Sequence, residues 1–470
     1  MKRRAIIMGA FGIAVLTTVA VWFVRTGGLG KRRRGNRPNI LLITLDTTRA
    51  DHLSCYGYER QTSPRIDEIA ANGLVYDRCI SPSSWTLPAH ASLLTGRYPT
   101  SHGAIYDSTG KALIKGLIPG ERMSYKDSAP KQLETLASVL KHEGYATGAV
   151  IGGPWLKRPF GIDKGFEFYE DSNVSKLNGR IAAHVNQQVL PWLEKTADRP
   201  FLLFINYFDP HGPYLPPKDY RFKFLESATP ADYSKTTMKQ RLALYDAEIY
   251  YMDHFLGQVV DRLKDLGVYD DTWIIITADH GELLGEHGLE GHGVTLYEPE
   301  LHIPLILKYP KRWARQGRSS EPIRLIDLMP IVLHRLGIDL PDNMQGTPSD
   351  KPQRTLFAEI YPSPKTSKLG QYRAYYDGPY KYIWNSRGAH RLFDLKADPG
   401  EMRNLARWEL DRTAAMRKKI DTLIAALPLP TQLADVPQPD EETMEVLRGL
   451  GYLGGRARAD DDTSTSPARK

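Results

Sequence analysis

Apolar residues fall in this chain into short unbroken runs separated by stretches of helical spacing, a β/α alternation. Pro38 to Asp46 is an apolar run closed by a carboxylate, and it predicts a buried parallel strand whose C-terminal end carries Asp46 toward a ligand crevice. Ala146 to Ile151 and Pro200 to Tyr207 predict two more strands. The second opens into Phe208-Asp209-Pro210-His211-Gly212-Pro213-Tyr214, a loop too rich in Pro and Gly to continue the strand, which leaves His211 exposed just beyond the sheet. Asp271 to Thr277 predicts a strand that delivers Asp279-His280, an oxygen and a nitrogen ligand side by side. His292 and His302 flank the next segment, and Ile303 to Leu307 suits a further strand. Helices are predicted over Ser63 to Asn72, Gln132 to His142, 180 to 195 and Lys239 to Leu266. Pro322 to Leu340 reads as a strand and a helix. Leu356 to Ile360, Tyr372 to Tyr376 and Tyr380 to Trp384 then alternate as short antiparallel strands with a turn at Asp377-Gly378, and Trp408 to Leu427 reads as a helix.

Within this frame Thr86-Leu87-Pro88-Ala89-His90-Ala91-Ser92-Leu93-Leu94-Thr95-Gly96-Arg97 predicts a helix with Thr86 as its N-cap. Free backbone N–H groups and the positive end of the helix dipole beside Thr86 attract anions. A phosphate or sulfate held there lies within reach of the hydroxyl.

The 470 residues, 41% of them hydrophobic, are enough for a large core. The formal charge of +7 changes meaning once it is located: residues 1–37 carry nine Lys or Arg and no acid, leaving 53 basic against 55 acidic residues. A nucleic-acid surface is thereby excluded for the body. Ala5 to Val24 is uncharged, flanked by Lys2-Arg3-Arg4 and by Arg25, and long enough to cross a bilayer, so it predicts an uncleaved anchor. Cys55 and Cys79 suit either a pair or two buried thiols.

Pro38-Asn39-Ile40 to Asp46, Leu94-Thr95-Gly96-Arg97, Ala278-Asp279-His280-Gly281 with Gly285-Glu286-His287-Gly288, Asp327-Leu328-Met329-Pro330, and Leu392-Phe393-Asp394-Leu395 with Asp398-Pro399-Gly400-Glu401 stand in an order that resembles the sulfatase-like members of the alkaline phosphatase superfamily. The resemblance implies an α/β fold: a large mixed sheet with helices on both faces, and a smaller C-terminal α+β domain on a short antiparallel sheet. The expected division is 1–37 anchor and basic linker, 38–345 catalytic domain, 346–430 small domain and 431–470 an extension ending in a disordered tail. By the same resemblance Asp46, Asp279, His280 and Thr86 look like ligands of one divalent ion, and Thr86 falls at the nucleophile.

Departures from the family pattern bear on the chemistry. Its members place a Cys or Ser, oxidised to formylglycine, at the nucleophile with an Arg four residues on; here those positions hold Thr86 and His90. Oxidising Thr gives a ketone, so no formylglycine is expected. Asp46-Thr47 replaces a usual acidic pair, Gly152-Gly153-Pro154-Trp155 replaces a Gly-Lys-Trp-His motif, and His292 stands about where a Lys is expected. The resulting expectation is hydrolysis of sulfate or phosphate esters by ion-bound Thr86, with His90, His211 and His292 stabilising the anion or protonating the leaving oxygen. Two alternatives stay open: a phosphodiesterase, or a phosphoethanolamine- or phosphoglycerol-type transferase, acting through phospho-Thr86; and an inactive membrane-anchored binding protein. The resemblance implies calcium, while one carboxylate fewer and a histidine suit manganese, magnesium or zinc. The expected partners are a sulfated or phosphorylated small molecule, glycan or lipid headgroup, and a membrane through residues 5–24, with the body outside the cytoplasm.

Overall fold

The structure, a computed structural model, describes residues 37–105, 133–174, 179–225, 235–348, 355–363, 366–429, 439–450 and 452. The predicted anchor at 5–24, the loop 106–130 and the tail 456–470 lie outside them. Among the described residues no helix is long and apolar enough to cross a membrane.

A nine-stranded mixed sheet forms the centre, in the order β10-β2-β9-β6-β1-β5-β3-β4 with β11 beside β2. Its middle strands β1 (Asn39–Leu45), β5 (Phe201–Tyr207) and β6 (Thr272–Thr277) are parallel and buried along their whole length, which is why they read as continuous apolar runs. β3 (Ala146–Val150) and β4 (Phe168–Glu170) extend the parallel half. β9 (His302–Lys308) runs antiparallel between β6 and β2 (Leu74–Ile80), and the short β10 (Gly317–Ser319) and β11 (Ile323–Arg324) finish that edge. A two-stranded ribbon, β7 (Leu283–Leu284) with β8 (Glu290–Gly291), stands after β6.

Alternate residues of β1 feed two cores. Ile40 and Leu42 join the one that takes in the Thr86–Thr95 helix, while Leu41, Ile43 and Leu45 face the Met238–Asp265 helix. A separate antiparallel sheet, β12 (Phe357–Ile360), β13 (Tyr372–Asp377), β14 (Tyr380–Asn385) and β15 (Arg391–Asp394), packs against the Leu410–Ala426 helix. The expected α/β class, with a small antiparallel sheet toward the C-terminus, is therefore the fold.

Several local expectations shift. Asp377 pairs with Tyr380, so the hairpin turn is Gly378-Pro379 rather than Asp377-Gly378. The helix expected from Gln132 begins at Leu136, where Thr135 accepts the Ser138 N–H and Ser138 Oγ accepts the Thr135 N–H, a reciprocal cap that sets the boundary. A helix over Glu441–Gly449, capped by Asp440, stands in the extension. Cys79 is buried, Cys55 is partly so, and both are free thiols.

Candidate functional site

Strand register builds the site. Thr44 of β1 lies opposite Thr277 of β6 and Asn206 of β5, so the chain two residues beyond Thr44 and two beyond Thr277 brings Asp46 level with Asp279. With His280 they form a buried group whose ligand atoms all lie within 4.8 Å of one another. One oxygen of each carboxylate is held by the protein. Asp279 Oδ1 accepts the N–H groups of Thr47 (3.2 Å) and His280 (2.9 Å), and Asp46 Oδ2 faces Asn206 Nδ2 at 3.5 Å.

The other two oxygens, Asp46 Oδ1 and Asp279 Oδ2, are buried with no hydrogen-bond partner among the described residues. Burial, and for Asp46 also the neighbouring Asp279, push both carboxyls above their ordinary range. Two orphaned carboxylate oxygens beside a bare imidazole nitrogen are what a divalent cation relieves, so the residues fit such an ion. Thr47 has φ +53°, an uncommon conformation for a β-branched residue, and the turn it makes aims its N–H at Asp279. Tyr245 secures that turn by donating to Thr47 O (2.8 Å) and accepting the Arg49 N–H (3.0 Å).

His280 donates Nδ1–H to Gly281 O at 2.8 Å, which leaves Nε2 without a proton. Burial lowers its pKa to about 3, so the ring is neutral. The Thr86 hydroxyl donates to that Nε2 across 3.2 Å. Thr86 is therefore not the cap predicted from the sequence: Trp85 O accepts the Ala89 N–H, Trp85 holds the N-cap position, and Thr86 is the first helical residue with its hydroxyl turned to another strand end. His90, one turn on, donates Nδ1–H to Thr86 O (2.9 Å) and accepts at Nε2 from the Thr44 hydroxyl (2.9 Å). Both its nitrogens are spent inside the protein, tying the helix start to β1.

His211 and His292 meet above His280. The His280 and His292 rings are 4.5 Å apart, those of His292 and His211 4.9 Å. His211, expected to be exposed, is 5% exposed, because Phe208 stacks on it at 4.3 Å and its Nδ1–H is tied to Gly212 O at 2.7 Å. His292 donates Nδ1–H to Glu282 Oε1 at 2.9 Å. The Nε2 atoms of both rings reach the Tyr452 hydroxyl, at 2.8 Å from His211 and 2.5 Å from His292. A cavity of about 680 Å³ opens here, lined among others by Trp85, Tyr214, Tyr361 and Tyr452.

All seven residues singled out from the sequence, Asp46, Thr86, His90, His211, Asp279, His280 and His292, thus converge. His302 does not; it sits on β9 and donates to Asp77 O. Asn206, Glu282 and Tyr452 were not foreseen. Asn206 accepts the Gly152 and Gly153 N–H groups and donates to Thr44, and its only signal is a polar side chain inside an apolar run. Glu282 follows directly on the Ala278-Asp279-His280-Gly281 motif, and nothing in the sequence marks it.

The loop carrying Asp279 to Glu282 is braced from behind. Gly281 N–H donates to Glu300 O (2.8 Å), and a Cβ at position 281 would lie 2.0 Å from Pro299 O, so glycine is required there. The buried Glu300 carboxyl bonds to the Thr295 hydroxyl, and burial raises its pKa from 4.5 to about 8. Its favourable contribution is complete below pH 4.5 and is lost as pH rises through about 8, because the unfolded chain releases this proton first. Glu300→Gln, neutral at every pH, is expected to remove about 2–4 kcal/mol of the stability loss over that interval, read as urea midpoints at a series of pH values.

Comparison with known proteins agrees with this geometry. The protein is similar to an uncharacterized sulfatase, YidJ, of Escherichia coli (strain K12), at 25% identity over 433 residues that cover 78% of this chain and 83% of that protein. Its fold is shared with the phosphonate monoester hydrolase of Agrobacterium radiobacter (TM-score 0.66, 20% identity, 83% of this chain and 95% of that one). It is shared equally with a protein solved in complex with its substrate D-glucosamine-2-N,6-O-disulfate (TM-score 0.67, 20% identity, 83% and 97%). The profile of the C-terminal region of N-sulphoglucosamine sulphohydrolase matches residues 285–427. Since the sulfatase profile matches residues 38–338, the span that supplies every one of the seven converging residues, the chain belongs to the sulfatase family and is a hydrolase of ester bonds.

Proposed function

We propose that the protein hydrolyses sulfate or phosphate esters by attack of Thr86 Oγ1 on the central atom, which breaks the bond to the alcohol oxygen, followed by attack of water on the sulfo- or phospho-Thr86 ester so formed, with a divalent ion held by Asp46, Asp279 and His280. The observation that carries this reading is the Thr86 hydroxyl 3.2 Å from His280 Nε2, the nitrogen that would hold the ion, beside two carboxylate oxygens that have no hydrogen-bond partner among the described residues. An ion bound there supplies electrostatic chemistry: it favours the ionised Thr86 oxygen and offsets the charge of the anion. The chain's own groups do the rest. In the first turn of the Thr86–Thr95 helix Pro88 has no N–H and Ala89 donates to Trp85 O, so Thr86 and Leu87 supply the N–H groups for the anion, and His90 holds that turn against β1. His211 and His292, anchored through Nδ1, turn Nε2 toward the cavity, and either ring must first take up a proton at Nε2 there before it passes one to the leaving oxygen.

A phosphodiesterase, or a phosphoethanolamine- or phosphoglycerol-type transferase, acting through phospho-Thr86 is the second reading, favoured by an unoxidised hydroxyl and by the fold shared with a phosphonate monoester hydrolase. The disulfated glucosamine bound by another structural neighbour points to sulfated sugars as the first natural substrates to try. The test is the purified full chain assayed on 4-nitrophenyl sulfate, 4-nitrophenyl phosphate and bis(4-nitrophenyl) phosphate with calcium, magnesium, manganese or zinc. Turnover of at least one ester is expected, falling about 100-fold or more after chelation and returning with the ion. Ion binding without turnover of any ester overturns the proposal in favour of a binding protein.

A further inference from the structure

The helix Glu441–Gly449 and Tyr452 lie beyond the spans matched by both family profiles, which end at 338 and 427, yet they reach the centre of the site. Lys157 fastens the start of this helix through Asp440 Oδ2 (3.2 Å) and Thr443 Oγ1 (2.6 Å). Leu447 is fully buried, in the same core as Trp85 and Trp155. Past the helix, Tyr452 N–H donates to Leu447 O at 2.9 Å, turning the chain back so that the Tyr452 ring stands edge-on to Trp155 at 5.2 Å.

Its hydroxyl stands against the Nε2 atoms of both His211 and His292, and its one proton serves either of them in turn. Those rings have committed Nδ1 to Gly212 O and to Glu282 Oε1, so Nε2 is what each has left to offer a ligand. Beneath them Thr86, Asp46, Asp279 and His280 are each 0% exposed. A phenol oxygen thus stands where the reaction described above puts the leaving oxygen, with the reactive cluster closed off below it.

We propose that the C-terminal helix and Tyr452 form an intramolecular occupant of the leaving-group seat, so that every substrate binds in competition with the Tyr452 hydroxyl. The inference rests on the function proposed above for its account of what is displaced. A competitor built into the chain lowers the binding-competent fraction by one factor, and it taxes all ligands of the site equally.

The test uses the full chain with its ion and the variants Tyr452→Ala and Tyr452→Phe. Two readouts are taken: the dissociation constant of inorganic phosphate by calorimetry, and kcat and KM on the best 4-nitrophenyl ester. Tyr452→Ala is expected to lower Kd and KM by the same factor, about fivefold for the one hydrogen bond its phenol can donate. Tyr452→Phe, which keeps the ring on Trp155, falls between. A raised KM or a reduced kcat makes Tyr452 a substrate contact and overturns the proposal; so do unchanged constants, or phosphate binding absent from all three proteins. Should no ester be turned over by any of them, the hydrolase reading fails on its own, while tighter phosphate binding by Tyr452→Ala still supports the occupant.

Discussion

Thr86→Ala is expected to lower turnover by about 10³-fold or more while the protein still binds its ion. The substitution removes one oxygen and little else. Thr86 is not a capping side chain, its backbone is helical, and Ala is the best helix former, so the fold loses only the bond to His280. Asp46, Asp279 and His280 stay in place, and calorimetric titration with the divalent ion is expected to show one site in both proteins. Thr86→Ser retains a hydroxyl on the same helical turn and is expected to keep turnover within about tenfold of the parent, since a positioned hydroxyl is what the attack requires. Full activity in Thr86→Ala would remove Thr86 from the reaction and leave the ion site standing.

The strands that position this chemistry were legible because β1, β5 and β6 are buried on both faces, and such strands cannot alternate. Their C-terminal polar residues then mark the crevice. What the sequence does not display is register. Asp46 and Asp279 are level only because Thr44 pairs with Thr277, and nothing local to either segment encodes that pairing. The same limit explains the misreading of Thr86: a Thr before a helical run is ordinarily a cap, but here a histidine 194 residues away competes for the hydroxyl. β2 has no clear strand pattern in the sequence because Asp77-Arg78 interrupts its apolar run at the point where its register with β9 shifts. Tyr452 is the extreme case. Its partners are 241 and 160 residues away in sequence, and a tyrosine after a short polar helix carries no mark of a site.

The largest change in stability is expected from Lys381→Met, at about 3–5 kcal/mol, read as a lower urea midpoint at pH 7. Lys381 in β14 has a fully buried side chain and pairs with Glu298 (2.9 Å) and Glu401 (2.8 Å). Glu298 belongs to the segment between β8 and β9 of the large sheet and also receives Arg78 (2.9 Å) and the Tyr376 hydroxyl (2.6 Å). Its backbone N–H donates to Glu401 Oε2 at 2.7 Å. The Lys381 ammonium is therefore shared by two buried carboxylates, of which only Glu298 also has Arg78, where the two sheets are joined, and methionine fills its volume but not its charge. Burial alone raises the Glu298 carboxyl, but Lys381 and Arg78 outweigh it and hold the pKa down at about 2. A depressed carboxyl contributes stability that is present above its ordinary value of 4.5 and is lost as pH falls through about 2, so the gap between parent and variant is expected to narrow steeply in acid. The site feels the same joint, because Ile360, Tyr361 and Ser363, at and just beyond the end of β12, wall its cavity. A loosened sheet moves that wall while leaving Thr86 and the ion ligands on the large sheet untouched, so Lys381→Met is expected to raise KM several-fold before it changes kcat.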